Sequence, residues 1–298
     1  MASSAPYNAT HDCDPTLDDQ GVIDFCRNGY LMLPGVVPEE INQKVVDFLD
    51  HEDDTYEPTP IMKQDWFVES VLLNPQAAGA VRSLLGTNFT LPAIISNHRG
   101  ALPFEGQRWH RDGGSLYSHT LEYLQVFYIP EPCTEDMGPT ELLPGSHFMR
   151  TKGPLMAHYG KIAGTVPATG PAGTIYLTIY NIWHRRSRAT SKARFKSKYR
   201  NLLKYNYWRT EPPKRDWIVD PDLDFNRIDF NPSAGHFEQF QGGIAAARMF
   251  CWLSGIEDQY TKRGGQCWPV APTVRDGANQ MGVPAPLQNS DRESSHTI

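Results

Sequence analysis

The stretch GQRWHRDGGSLY, residues 106–117, places His110 and Asp112 two positions apart, beside Trp109 and ahead of a glycine pair. If this stretch is extended, side-chain alternation sends His110 and Asp112 to one face and Arg111 to the other. One imidazole and one carboxylate on a single strand face make half of a metal site. The third donor must come from elsewhere, and His184, at the end of the apolar run TIYLTIYNIW, is the best placed to supply it. Two imidazoles and a carboxylate on one side of an ion, with its other positions open, form the ligand set of non-haem Fe(II) oxygenases. The same residue types also occur as ordinary polar groups on a strand. His98, His119, His147, His158 and His236 fall at turns or strand ends without a comparable partner and read as hydrogen-bonding or surface residues.

These side chains need a scaffold, and its texture changes along the chain. The first ~90 residues read as helical. DPTLDDQGVIDFCRNGYLMLPG has an acidic entry, apolar Val22, Ile23, Phe25 and Cys26, a glycine stop, and then the strand-like run Tyr30–Leu33. PEEINQKVVDFLDH opens with Pro38 and puts Ile41, Val45, Val46 and Leu49 on one face. NPQAAGAVRSLLG predicts a third helix closed by Gly86.

Beyond residue 90 the segments TLPAIISN, EYLQVFYIP, TELLPGSH, AGTIYLTIYNIWH and RNLLKYNYWR are short, rich in β-branched and aromatic residues, and separated by Gly/Pro turns. Several such segments without helices between them predict an antiparallel jelly roll. The expected organisation is one domain over 1–275: a helical part, 1–90, packed on a jelly-roll core, 91–275, that carries a loop or lid at 209–240. GGIAAARMFCWLSG suggests a late helix, and 276–298 a loose polar tail.

Composition narrows the function. The chain has 298 residues, 40% of them hydrophobic, and no apolar run approaching the ~20 residues of a membrane span. The five cysteines form no CxxC pair, which fits separate thiols, and the N-terminus lacks a secretory pattern, so a cytoplasmic location is expected. A net charge of −6 argues against general nucleic-acid binding. Yet residues 185–215 hold twelve Lys and Arg against the single acid Glu211. That run reads either as a solvated basic loop or as an electropositive wall for an anionic small molecule.

MGPTELLPGSH, residues 137–147, lies between the HxD pair and the distal histidine and resembles the turn-strand-turn segment of the phytanoyl-CoA dioxygenase-like family of Fe(II)/2-oxoglutarate oxygenases. FCRNGYLMLPGVVPEE, GQRWHRDGG, PAGTIYLTIYNIWHRRSRA and YRNLLKYNY are similar, in order, to that family's opening segment, HxD strand, distal-histidine strand and oxoglutarate-anchoring strand. The resemblance implies a double-stranded β-helix, mainly β with flanking helices, holding Fe(II) through His110, Asp112 and His184. It also implies 2-oxoglutarate and O2 as cosubstrates. An arginine fork suits the far carboxylate of 2-oxoglutarate. Arg200 matches the family's arginine at the head of an apolar strand, whereas Arg194 better fits the usual interval from the distal histidine. Gln107 and Thr140 match cosubstrate-binding positions of some members, or are polar residues near turns.

By the same resemblance an intact Asp112 favours hydroxylation or related C–H oxidation over halogenation, because halogenases replace that carboxylate. The expected partner is a small molecule, a natural-product intermediate or amino-acid derivative, with Trp109, Tyr117 and Trp66 as candidate substrate contacts. No membrane or nucleic-acid partner is expected. Two other readings use the same residues: a cupin-like metalloenzyme with non-redox chemistry such as isomerisation, and a jelly-roll binding protein without catalysis.

Overall fold

The computed structural model describes residues 9–112, 118–151, 153–190, 199–223, 228–230 and 239–257. Its strands are β1 (Thr10–His11), β2 (Tyr30–Leu33), β3 (Phe89–Thr90), β4 (Ser96–Asn97), β5 (Tyr123–Ile129), β6 (Thr140–Leu142), β7 (Val166–Pro167), β8 (Thr174–Thr178), β9 (His184–Arg186) and β10 (Leu203–Trp208). The α-helical segments are α1 (Asp19–Asn28), α2 (Glu39–Asp47), the single turn α3 (Asp65–Phe67), α4 (Pro75–Leu85), the short α5 (Gly153–Met156) and α6 (Gln239–Leu253). The predicted tail 276–298 lies outside the described residues.

The helices start and stop for local reasons. The Asp18 carboxylate accepts from the Gly21 N–H at the head of α1, and Gly29 ends it with φ of 79°, a conformation open to glycine. A Cβ at Gly29 would also strike the His147 ring. The Asn74 side chain caps α4 by accepting from Gln76 and Ala77, with Pro75 at the first helical position. Val22, Ile23, Phe25 and Cys26 of α1, and Ile41, Val45 and Val46 of α2, are buried.

The large antiparallel sheet runs β1-β3-β10-β5-β8-β2, with β4 also paired to β10. Alternation divides its faces. Leu124, Val126 and Tyr128 of β5, Ile175 and Leu177 of β8, and Leu203, Tyr205 and Tyr207 of β10 join the helices in the main core. The opposite face carries Phe127, Ile129, Tyr176 and Leu202, which meet Leu142 and Ala168 of the smaller sheet β7-β6-β9. An antiparallel bridge between His110 and His184 extends this second sheet. The space between the two sheets is therefore where inward-facing side chains converge.

Within 209–240, described in part, Trp217 and Phe230 are buried in the helical core. Arg215 forms an ion pair with the buried Asp19, Trp217 Nε1 donates to the same carboxylate, and Arg82 pairs with Asp216. This stretch is held to the helical layer by those contacts. TLPAIISN, expected as a whole strand, contributes only the two-residue pieces β3, at its edge, and β4.

Candidate metal centre

Backbone pairing puts the two histidines face to face. The His110 N–H donates to the His184 carbonyl and the His184 N–H to the His110 carbonyl, both at 3.0 Å. Their rings lie 4.4 Å apart. Each Nδ1 sits against a backbone carbonyl, Arg108 O at 2.8 Å for His110 and Ile182 O at 3.0 Å for His184. That arrangement fixes the tautomer and turns each Nε2 lone pair toward a shared point. Asp112 completes the cluster, with Oδ1 at 3.8 Å from His110 Nε2 and Oδ2 at 3.7 Å from His184 Nε2. Donor atoms of all three residues lie within 4.8 Å of one another.

Protonation suits ligation. Burial, opposed in part by Asp112, lowers the His184 pKa to about 4, so this imidazole is neutral at pH 7. Burial works against the Asp112 carboxylate, but His184, Lys204 and the Gln125 amide outweigh it and hold its pKa at about 2. Neutral imidazole and charged carboxylate are the forms that bind a metal. The donor set fits a divalent first-row ion of the Fe(II) type.

Two residues that the sequence did not single out support Asp112. Gln125 Nε2 donates to Asp112 Oδ2 at 2.6 Å, and Lys204 Nζ reaches the same oxygen at 2.7 Å. Thr178 in turn donates to Gln125 Oε1 at 3.4 Å. Gln125→Leu is expected to weaken Fe(II) binding by about tenfold or more, because losing an outer-sphere partner loosens its ligand. Anaerobic titration against a chelating dye measures this, and an unchanged affinity would remove Gln125 from the site.

A second polar feature lies deeper between the sheets. Arg200 is 5% exposed and lines a small cavity with Thr140, Tyr176, Cys133, Ile129 and Leu202. It donates through Nη1 to the Gly138 carbonyl, and its guanidinium lies 5.3 Å from the centre of the Phe104 ring. Its buried Nε has no hydrogen-bond partner among the described residues. The Tyr176 hydroxyl donates to Thr140 Oγ1 at 3.0 Å, closing the polar wall of the cavity. A buried guanidinium with an unused donor is built to receive an anion.

Other sequence candidates sit elsewhere. Gln107 is exposed and, among the described residues, bonds the Arg186 backbone, its Oε1 accepting from the N–H at 3.2 Å. Trp109, taken as a substrate contact, is 1% exposed in a separate cluster with Trp183, Leu143, Met149 and Met156, and its Nε1 donates to Gly160 O. The assignment is corrected on that ground. Alternation explains it, since the neighbour of an inward histidine must point outward. Trp66 is partly buried against the main core, edge-on to Phe67 at 6.0 Å. Arg194 and Tyr117 lie outside the described residues. Much of the basic run is used internally: Arg185 pairs with Glu141, Arg215 with Asp19, and Arg209 donates to Leu84 and Leu121 carbonyls.

The buried histidines carry a pH signature. Burial, together with Lys204, also lowers His98 to about 4 from its ordinary 6.5. Between those two values the unfolded chain binds more protons than the folded one at His98 and at His184, so stability falls as pH is lowered through that window. Each histidine contributes at most about 1.4 kcal/mol per pH unit. Below it, between 3.8 and about 2, Asp112 continues the loss. Melting temperature of the chelator-treated protein should drop from pH 6.5 to 4, less steeply in His98→Gln; a flat profile would contradict the burial of both imidazoles.

Two sheets with a two-histidine, one-carboxylate cluster between them define a cupin-like jelly roll with a candidate metal centre. Residues 61–196, which include all three candidate ligands, match the family model Phytanoyl-CoA dioxygenase (PhyH), so this part of the chain is similar to that family. A search of the curated proteins finds no match to this sequence. Among solved structures, apo HygX from Streptomyces hygroscopicus is similar at 15% identity and a TM-score of 0.53, covering 66% of this chain and 88% of HygX. Iron-bound HygX aligns at 15% identity and a TM-score of 0.50, covering 62% and 84%. AviO1 from Streptomyces viridochromogenes Tue57 aligns at 16% identity and 0.48, covering 67% and 99%. At these identities the likeness is one of fold. Among the described residues no helix is long and apolar enough to cross a membrane.

Proposed function

We propose that this protein is an Fe(II)/2-oxoglutarate-dependent dioxygenase that oxidises a C–H bond of a small organic molecule. The observation that carries this reading is the pairing of two features in one lumen. A two-histidine, one-carboxylate cluster stands beside Lys204, and a buried guanidinium with an unused donor, Arg200, lies four residues before Lys204, just ahead of β10. His110, Asp112 and His184 would hold the iron. Arg200 would receive the far carboxylate of 2-oxoglutarate, with Thr140 and Tyr176 as hydroxyl partners in the cavity wall. The iron-loaded site supplies oxidative decarboxylation of 2-oxoglutarate by O2 and, from it, an oxidant able to attack an unactivated carbon.

The chain's own residues do the positioning. Gln125 and Lys204 fix the Asp112 carboxylate, backbone carbonyls fix both imidazoles, and Phe127, Ile129 and Leu202 keep the cosubstrate end apolar. Hydroxylation, or a desaturation that begins with the same hydrogen abstraction, is the expected outcome, and a natural-product intermediate or amino-acid derivative the expected substrate. A cytoplasmic setting and independence of nucleic acid complete the reading.

Anaerobic titration with Fe(II) and then 2-oxoglutarate tests it. A weak visible charge-transfer band should appear in wild type and be absent in His110→Ala. Metal binding without a band on adding 2-oxoglutarate would instead select non-redox cupin-type chemistry, and no metal binding would refute both.

A further inference from the structure

The inward face of the large sheet changes character from one end to the other. At the cosubstrate end it shows Ile129, Tyr176 and Leu202, and in the middle Gln125, Thr178 and Lys204 around Asp112. The register continues this face outward: Asn206 pairs with Gln125, and Trp208 with Tyr123. Tyr123, two residues from Gln125 on the same face, stacks on Trp208 with ring centres 4.4 Å apart at 26°. It also meets Tyr180, with ring centres 5.0 Å apart and planes tilted at 59°. Trp208 is 47% exposed, at the end of a strand whose other inward residues, Lys204 and Asn206, are partly buried. Asn206 Oδ1, between Lys204 and Trp208 along the strand, is buried with no hydrogen-bond partner among the described residues.

Both tyrosines lie within the field of Asp112. After burial and, for Tyr123, the neighbouring Tyr180, that carboxylate is a cause of their raised pKa values. On the opposite flank of β10, where β4 pairs with it, the Tyr56 hydroxyl contacts His98 Nε2 at 3.1 Å, and Asp112 acts on both of those groups as well. Aromatic surface therefore borders the metal centre on both sides of β10. Among these groups near Asp112, Lys204 is the cation, and it is already paired with Asp112.

We propose that Tyr123, Tyr180 and Trp208 form the substrate platform, and that the substrate is a largely uncharged molecule with a planar aromatic or conjugated ring stacked on it and a ring N–H or O–H donated to Asn206 Oδ1. This rests on the oxygenase reading, which makes the nearby centre the place of reaction. Aromatic faces favour offset-stacked planar partners over saturated rings of equal size. The unused carbonyl of Asn206 gives orientation, because a ligand lacking the donor leaves a buried acceptor unpaired. Stacking at this end and an amide acceptor one pleat deeper would hold a ring edge toward Asp112.

Three small imides separate these features: phthalimide, its N-methyl derivative, and cyclohexane-1,2-dicarboximide, which keeps the imide but loses the planar ring. Binding is read by ligand-detected NMR on the purified protein with Zn(II) and 2-oxoglutarate, and again without them. Phthalimide should bind at least about tenfold more tightly than the saturated imide, and Trp208→Ala should erase that difference while Trp208→Phe restores it. N-methylation should weaken binding in wild type but not in Asn206→Leu. Equal binding of planar and saturated imides, phthalimide binding indifferent to Trp208→Ala, or no binding at all would overturn the platform. If these fail while the Fe(II)/2-oxoglutarate band is present, the oxygenase reading stands and the substrate class falls. If phthalimide binds as expected but no band forms, the oxygenase reading fails and the substrate role falls with it.

Discussion

Asp112→Ala is expected to abolish Fe(II) binding and all oxidative turnover, a larger loss than the roughly 10–100-fold that removing an outer-sphere partner costs. Asp112 supplies the only negative charge in the cluster, and two neutral imidazoles alone hold a divalent ion weakly. The substitution also strands Lys204 and Gln125, which both donate to Asp112 Oδ2. A half-buried ammonium deprived of its partner destabilises the fold. Asp112→Asn therefore accompanies it: the amide keeps the shape and an acceptor but not the charge. Both variants should lose the metal, with the asparagine form melting closer to wild type. Retained turnover in an iron-replete assay of either would sink the assignment of Asp112 as a ligand.

Arg200→Ala should leave Fe(II) affinity unchanged and raise the 2-oxoglutarate requirement by about 10–100-fold, the worth of hydrogen bonds to a charged group. The guanidinium lies beside Thr140 and Tyr176 and bonds none of the three candidate metal ligands, so the two affinities can be uncoupled. Arg200→Lys keeps the charge but loses the planar fork and should fall between. An unchanged 2-oxoglutarate requirement, with metal binding intact, would transfer the anchoring role to Arg194.

The sequence made the metal cluster legible because period-two alternation and a single distal histidine are local signals. His110 and Asp112 had to share a face, and His184 ended the one long apolar run that follows. The same alternation, applied to Trp109, would have turned it away from the centre and into the cluster with Trp183. Arg200 was expected at the head of a strand, whereas in the structure it stands three residues ahead of β10, in an isolated bridge to Gly100. Gln125 and Lys204 were not legible, because each looks like a polar residue in an amphipathic strand. Only the β5–β10 register, which sets Lys204 opposite Phe127 and Asn206 opposite Gln125, brings their side chains to Asp112. Among the helices, α1 and α4 were readable from caps and glycine stops, whereas the widened turns at Phe48–Glu52 and Val68–Leu72 leave no comparable mark.

The reciprocal hydrogen bonds between His110 and His184 give the ion a further task. With the neighbouring Gln107 N–H donating to the Arg186 carbonyl, they form a short bridge between chain segments whose histidines lie 74 positions apart in sequence. A slip of one residue there would turn Trp109 inward and expel His110. A metal gripping both imidazoles penalises that slip far more than these backbone hydrogen bonds can, so it acts as a register lock at the seam of the barrel. Free energy of metal binding is then also free energy of strand alignment. Saturating metal should accordingly slow amide exchange at His110 and His184 more than along β5, whose ladder is complete without it.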